Sequence, residues 1–142
     1  MFSFFKKDEP KTIDEFMAQE AQKLVKALAK SGRLDFSEVS LDIVDTNLQE
    51  YHLGRAQFTK ELHMNFSAYI FECAKKEFGG RYLNGNESNP YILVIGEPDF
   101  QIGFSVMEKV ISRIENGPED DIRFFYQGIS PLFKSKKSAT LI

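Results

Sequence analysis

Few residues in this chain could attack or move a proton near neutral pH. It has two histidines, His52 and His63, and one cysteine, Cys73. His63 precedes Ser67 by one helical turn, so on a helix the two side chains share a face. A histidine able to take a serine's proton is the start of a nucleophilic pair. Tyr69 and Tyr82 would add polar handles to a cavity otherwise walled by phenylalanine. One expectation is therefore a small-ligand-binding domain or hydrolase-like enzyme with a pocket formed by His63, Ser67, Tyr69 and Tyr82. The pair comes without an orienting third group or oxyanion donors, and a part-buried histidine bonded to a neighbouring element accounts for His63 more simply. No residue is assigned as catalytic.

Metal and cofactor chemistry find less support. One cysteine and two histidines at this separation match no zinc spacing, and H-E-x-x-H is absent. Cys73 falls on the apolar side of a predicted helix, where a thiol acts as a small hydrophobe rather than a nucleophile. Gly79-Gly80 and Gly96-Glu97-Pro98 are neither G-x-G-x-x-G nor a Walker sequence, and read as a helix stop and a turn. Glu97 and Asp99 are two acids in that turn, too little for glycosidase chemistry. No metal or cofactor is expected.

The clearest surface signal is acidic. Glu38, Asp42 and Asp45 stand at i, i+4 and i+7, which places three carboxylates on one helix face. Like charges at that spacing mildly destabilise a helix by themselves. A solvated face is the plain explanation; a docking surface for a basic protein partner is the functional one, since complementary charge speeds encounter and rejects wrong partners.

These residues must be positioned by elements that the pattern also predicts. Thr12-Ile-Asp-Glu15 is a capping box opening a helix whose apolar face is Ile13, Met17, Ala21, Leu24, Val25 and Leu28, with Gly32 as its stop. A second helix is predicted from Ser37 to about Tyr51, burying Leu41, Val44, Leu48 and Tyr51. A third, 58–78, is apolar over more than half its circumference, and is expected at the centre of the fold. The period then changes. Arg81-Tyr-Leu and Tyr91–Ile95 read as strands around a turn-rich Asn84–Pro90, with a third strand near Phe100–Phe104. A fourth helix is expected to open at a second capping box, Ser105-Val-Met-Glu108, and to stop at Gly117. A fifth should start at Pro118 with Glu119, Asp120 and Asp121 in its first turn and Ile122, Phe125, Tyr126 and Ile129 facing inward. The expected fold class is α+β: about five helices on a small, mainly antiparallel sheet of about three strands over residues 81–104. Residues 1–10 read as a flexible lead-in, 11–133 as one domain, and 134–142 as a flexible basic tail.

Bulk composition agrees with one globular domain of 142 residues. Fourteen Phe and five Tyr without a Trp point to a phenylalanine-rich core. A net charge of −3 argues against nucleic acid. Lys6-Lys7 and Phe2, Phe4 and Phe5 would give only weak, reversible membrane adsorption. The lone cysteine excludes an internal disulfide, and the N-terminus reads as the reverse of a secretory signal, so a cytoplasmic location is expected.

Leu34-Asp-Phe-Ser-Glu-Val-Ser-Leu41 followed by Val44-Asp45, then Ala68-Tyr-Ile, Gly79-Gly80-Arg-Tyr82, and Val110 through Asn116-Gly117 to Phe124-Phe-Tyr126, resembles a group of small bacterial cytoplasmic proteins of uncharacterised function. The resemblance spans roughly residues 34–130 and lies in packing and capping residues, so it implies an α+β domain and no chemistry. Together these features favour a non-enzymatic interaction or regulatory module, immunity- or adaptor-like, that uses the acidic face. A homodimer is compatible with either expectation.

Overall fold

A computed structural model describes residues 12–142. The lead-in 1–10, with Phe2, Phe4, Phe5, Lys6 and Lys7, lies outside the described residues. Helix α1 (Ile13–Ala27) starts where Thr12 Oγ1 accepts the Glu15 N–H at 3.1 Å. It buries Met17, Ala21 and Leu24 and packs along α3 (Lys60–Phe78). Nine consecutive or near-consecutive positions of α3, from Asn65 to Ala74, are buried. That is the behaviour expected of a helix apolar on most sides, and α3 contacts α1, α4 and the sheet. Its N-cap is Thr59, whose Oγ1 accepts from Leu62 N, two residues later than the predicted start. Gly79, at φ 75°, ends it.

Helix α2 is Leu41–His52, not Ser37 onward. The reason is local competition from short polar side chains. Asp35 accepts from both the backbone N–H and the hydroxyl of Ser37, at 3.1 and 2.6 Å. Ser40 N donates to Ser37 Oγ, and Ser40 Oγ donates to Ser37 O at 2.6 Å. These bonds wind residues 35–40 into a turn before the helix can begin.

The sheet has four strands in the order β1 (Arg81–Asn84), β2 (Tyr91–Ile95), β3 (Ile102–Phe104), β4 (Ala139–Leu141). The first three form the expected antiparallel meander, with Tyr82 opposite Leu93 and Leu93 opposite Phe104. The fourth makes the sheet mixed: β4 lies parallel to β3, with Ile102 opposite Ala139. Residues 134–142, expected as a frayed tail, are therefore ordered. Ala139 N donates to Gln101 O, Ser105 N to Leu141 O, and Gln101 N to Ser138 Oγ. A three-residue strand behind a Lys-Ser run gives almost no periodic signal; only the neighbour β3 selects it.

The second capping box is also corrected. Helix α4 (Met107–Asn116) has no cap from Ser105, whose hydroxyl donates to Tyr91 O instead. Asn89, from the β1–β2 loop, takes that role: its side-chain oxygen accepts from Glu108 N, and its amide donates to the Glu108 carboxylate. Pro118–Asp120 is a single 3-10 turn rather than a helix start. Helix α5 (Ile122–Gln127) opens at Asp121, which accepts from Phe124 N at 2.9 Å, and α6 (Ile129–Ser135) follows directly. The core between α3, the sheet and α5 is aromatic. Phe71 meets Phe104 edge-on at 5.9 Å, and Phe104 meets Tyr126 at 6.3 Å. No helix among the described residues is long and apolar enough to cross a membrane.

Candidate interaction surface

The three acids Glu38, Asp42 and Asp45 are brought to one place, beside α5, but in two different roles. Asp45 is only part-buried, its side chain 19% exposed, but it is committed to the fold. Its carboxylate accepts from Arg113 Nε at 2.8 Å, from Arg113 Nη2 at 3.1 Å and from the backbone N–H of Ile122 at 3.1 Å. Arg113 is only 2% exposed. The pair therefore ties α2 to α4 and caps the approach of α5, and Asp45 offers no free charge to a partner. This corrects the expectation of three carboxylates on one helix face: Glu38 stands in the turn before α2, and only Asp42 and Asp45 are on the helix.

Glu38 and Asp42 remain at the surface. Arg123 of α5 donates from Nε to Glu38 at 2.9 Å and from Nη1 to Asp42 at 2.7 Å, while Gln127 adds a 2.9 Å bond to Glu38. The bond from Gln127 and then that from Arg123 hold the Glu38 carboxyl below the usual glutamate range. One guanidinium between two carboxylates leaves this patch with an excess of one negative charge, and Asp121 lies at the adjacent N-cap of α5.

Two large apolar side chains flank the cluster. Val39 follows Glu38 and is 63% exposed; Phe124 follows Arg123 and is 77% exposed. Phe124 is off the inward face of α5, which consists of Ile122, Phe125 and Tyr126. That displacement from the helical period was readable in the sequence as a sign of exposure. Arg113 had a signal too: it shares the apolar face of α4 with Val110, and a charge at a core position demands an acid beside it.

The other candidate residues do not form one pocket. His63 Nε2 lies 2.7 Å from Met107 O, its ring beside Phe58. Ser67 is fully buried, and its hydroxyl makes no hydrogen bond among the described residues. The Tyr69 hydroxyl accepts from Phe36 N at 2.8 Å and shares a 2.6 Å hydrogen bond with Ser40 Oγ. Tyr82 donates to Glu72 at 2.7 Å, with Lys75 over its ring. None of these four lines the principal clefts formed by the described residues. Sequence spacing put His63 and Ser67 one turn apart, but the neighbours that fold against α3 give each side chain its own partner or none.

Tyr69 has a structural task the sequence did not reveal. Phe36 sits at φ 65°, a costly conformation for a bulky side chain. It is held there by the Tyr69 hydroxyl on its N–H and by stacking of the two rings at 4.7 Å. Cys73, one turn along α3, is buried, and burial pushes its thiol up to about 12. Among the described residues no group of His, Cys, Asp and Glu is arranged to hold a metal ion.

No family model matches this chain, and no curated protein or solved structure matches it either.

Proposed function

We propose that this chain is a non-enzymatic protein-interaction module, immunity- or adaptor-like, that docks a basic protein partner on the surface formed by the turn before α2, the start of α2 and α5. The exposure of Phe124, beside an arginine held between two carboxylates, carries this reading. A phenylalanine left in water costs solvation that most of this chain's aromatic rings avoid. Aromatic and arginine side chains dominate binding energy where they become fully desolvated at the centre of an interface.

The partner's chemistry follows from the charge. Glu38 and Asp42 exceed Arg123 by one, and Asp121 adds a further carboxylate at the rim. A lysine or arginine of the partner can share the Asp42 carboxylate, whose side chain is 61% exposed. Rim charges of this kind act mainly on the association rate and its salt dependence. The internal commitments of His63, Tyr69 and Tyr82 also support a binding role over one in which they act on a substrate.

The test compares capture of partners from lysate by wild type, by Phe124→Ser and by the double variant Glu38→Lys/Asp42→Lys. A stoichiometric basic partner, lost from both variants while their melting temperatures stay near wild type, is the expected result. Equal retention of that partner by all three proteins would refute the assignment of the surface.

A further inference from the structure

A second surface, separate from the acidic one, is a cleft of the size that holds a small molecule. The end of α3, the β2–β3 turn and the end of α6 meet around about 460 Å³, within the range of single-ligand sites. Its floor is aromatic. Phe133 stands 5.2 Å from Phe78 and 5.6 Å from Phe100 between ring centres. Phe78 and Phe133 are only half-buried, so the floor is reachable from solvent. Gly96, at φ 101°, passes so close to Phe100 that a Cβ there would fall 2.3 Å from the ring. Glycine at this position lets the ring stay in the floor.

The charged lining is balanced, and it divides into spent and unspent groups. Arg81 and Glu97 are committed to each other by two bonds, at 2.6 and 3.1 Å, and Gln101 holds the same carboxylate. Lys136 and Asp99 are the other two charged residues on the lining. Both are exposed, and neither side chain makes an ion pair or hydrogen bond among the described residues, with each other or with a third group. The cleft therefore offers one free ammonium and one free carboxylate beside an aromatic floor.

Both free charges stand on fixed backbone, which lowers the cost of ordering them around a ligand. Lys136 N donates to Phe133 O and Lys137 N to Leu132 O, closing the end of α6. The bonds to Glu97 brace the turn that carries Asp99. A ligand that is only anionic would face Asp99, and one that is only cationic would face Lys136, so each would meet like charge on one side. The ligand that uses every feature is neutral overall, with an anionic group, a cationic group and an apolar body.

We infer that this cleft binds a free α-amino acid with a large apolar side chain, which carries those three groups on one carbon. The side chain lies on Phe78, Phe100 and Phe133, the α-carboxylate turns to Lys136, and the α-ammonium turns to Asp99. The assignment is independent of the α2–α5 surface, since it uses none of the same residues.

The probe is L-phenylalanine, titrated into isotope-labelled full-length protein and read from amide shifts. Three controls each lack one feature: glycine the ring, 3-phenylpropionate the ammonium, and 2-phenylethylamine the carboxylate. Phenylalanine is expected to shift Gly80, Gly96 and Lys136, glycine to leave them in place, and the two singly charged compounds to bind about fivefold more weakly. Two variants then assign the charges. Lys136→Asn, a residue that tolerates the left-handed backbone at this position, should abolish the preference for phenylalanine over 2-phenylethylamine and keep that over 3-phenylpropionate. Asp99→Asn should do the reverse. Melting curves establish that the variants are folded; if either is not, the comparison of ligands on the wild type decides. Absence of shifts at the solubility limit of phenylalanine, equal binding of any control, tighter binding of the dipeptide glycyl-phenylalanine, or shifts confined to other surfaces would overturn the proposal.

Discussion

Asp45→Ala is the perturbation that separates structural from surface carboxylates most sharply. In the wild type the Asp45 carboxylate satisfies two N–H groups of Arg113 and the N–H of Ile122. Removing it leaves a guanidinium that is 2% exposed without its counter-charge. Stranding one member of a buried pair costs about 3–5 kcal/mol, because the remaining charge still bears its desolvation penalty. For a chain of this length, about 3 °C of melting temperature accompanies each kcal/mol, so a fall of roughly 10–15 °C is expected. Replacing the pair together, as Asp45→Leu/Arg113→Met, removes both charges and should recover most of the loss. The assay is urea unfolding of wild type, both single variants and the double variant, analysed as a cycle. An Asp45→Ala protein within about 1 kcal/mol of wild type would contradict a structural role for Asp45, since so small an effect belongs to an exposed pair.

Tyr69→Phe removes one hydroxyl and leaves the Phe36 N–H and the Ser40 hydroxyl short of a partner; a loss of about 1–3 kcal/mol is expected by urea unfolding, and a neutral result would show that the residue 35–40 turn stands without α3. Glu38 has its folded pKa depressed below 4.5, so the stability it contributes is fully present above that value and is lost as the pH falls through the lower folded pKa. Its exposure limits this to about 1 kcal/mol or less, visible as a difference in melting temperature between wild type and Gln127→Ala/Arg123→Ala that narrows below pH 4.5. Cys73, buried with its thiol pushed up to about 12, should resist iodoacetamide at mildly alkaline pH in the native protein and react promptly in urea; fast native labelling would contradict the burial.

How far the sequence carried the fold depended on the length of each signal. Helices α1 and α3 announced themselves through long apolar periods and were placed to within a few residues, as was the central position of α3. The meander was legible because Tyr91–Ile95 is a continuous β-forming run between turn residues. Short elements were not: β4 is three residues chosen by pairing with β3, and Pro118 looked like a helix start because proline suits a 3-10 turn equally well. Caps supplied from a distance, such as Asn89 on α4, leave no mark at the helix they serve. The acidic stripe was legible as a pattern, and its division into an Asp45 paired with a buried arginine and a Glu38 and Asp42 paired at the surface was not, since it depends on where α4 and α5 bring Arg113 and Arg123. The histidine on α3 showed the reverse failure, a suggestive spacing whose members fold toward different neighbours.

The most direct test of the α2–α5 docking surface is a photo-crosslinking amino acid placed at position 124 of the full chain, expressed in its native cells, with position 53 as a control, where Leu53 at the far end of α2 is 49% exposed. One discrete adduct with a basic protein is expected from position 124, absent from position 53, and abolished when Glu38→Lys/Asp42→Lys is added. No adduct from position 124, or the same adducts from both positions, would contradict the proposed surface.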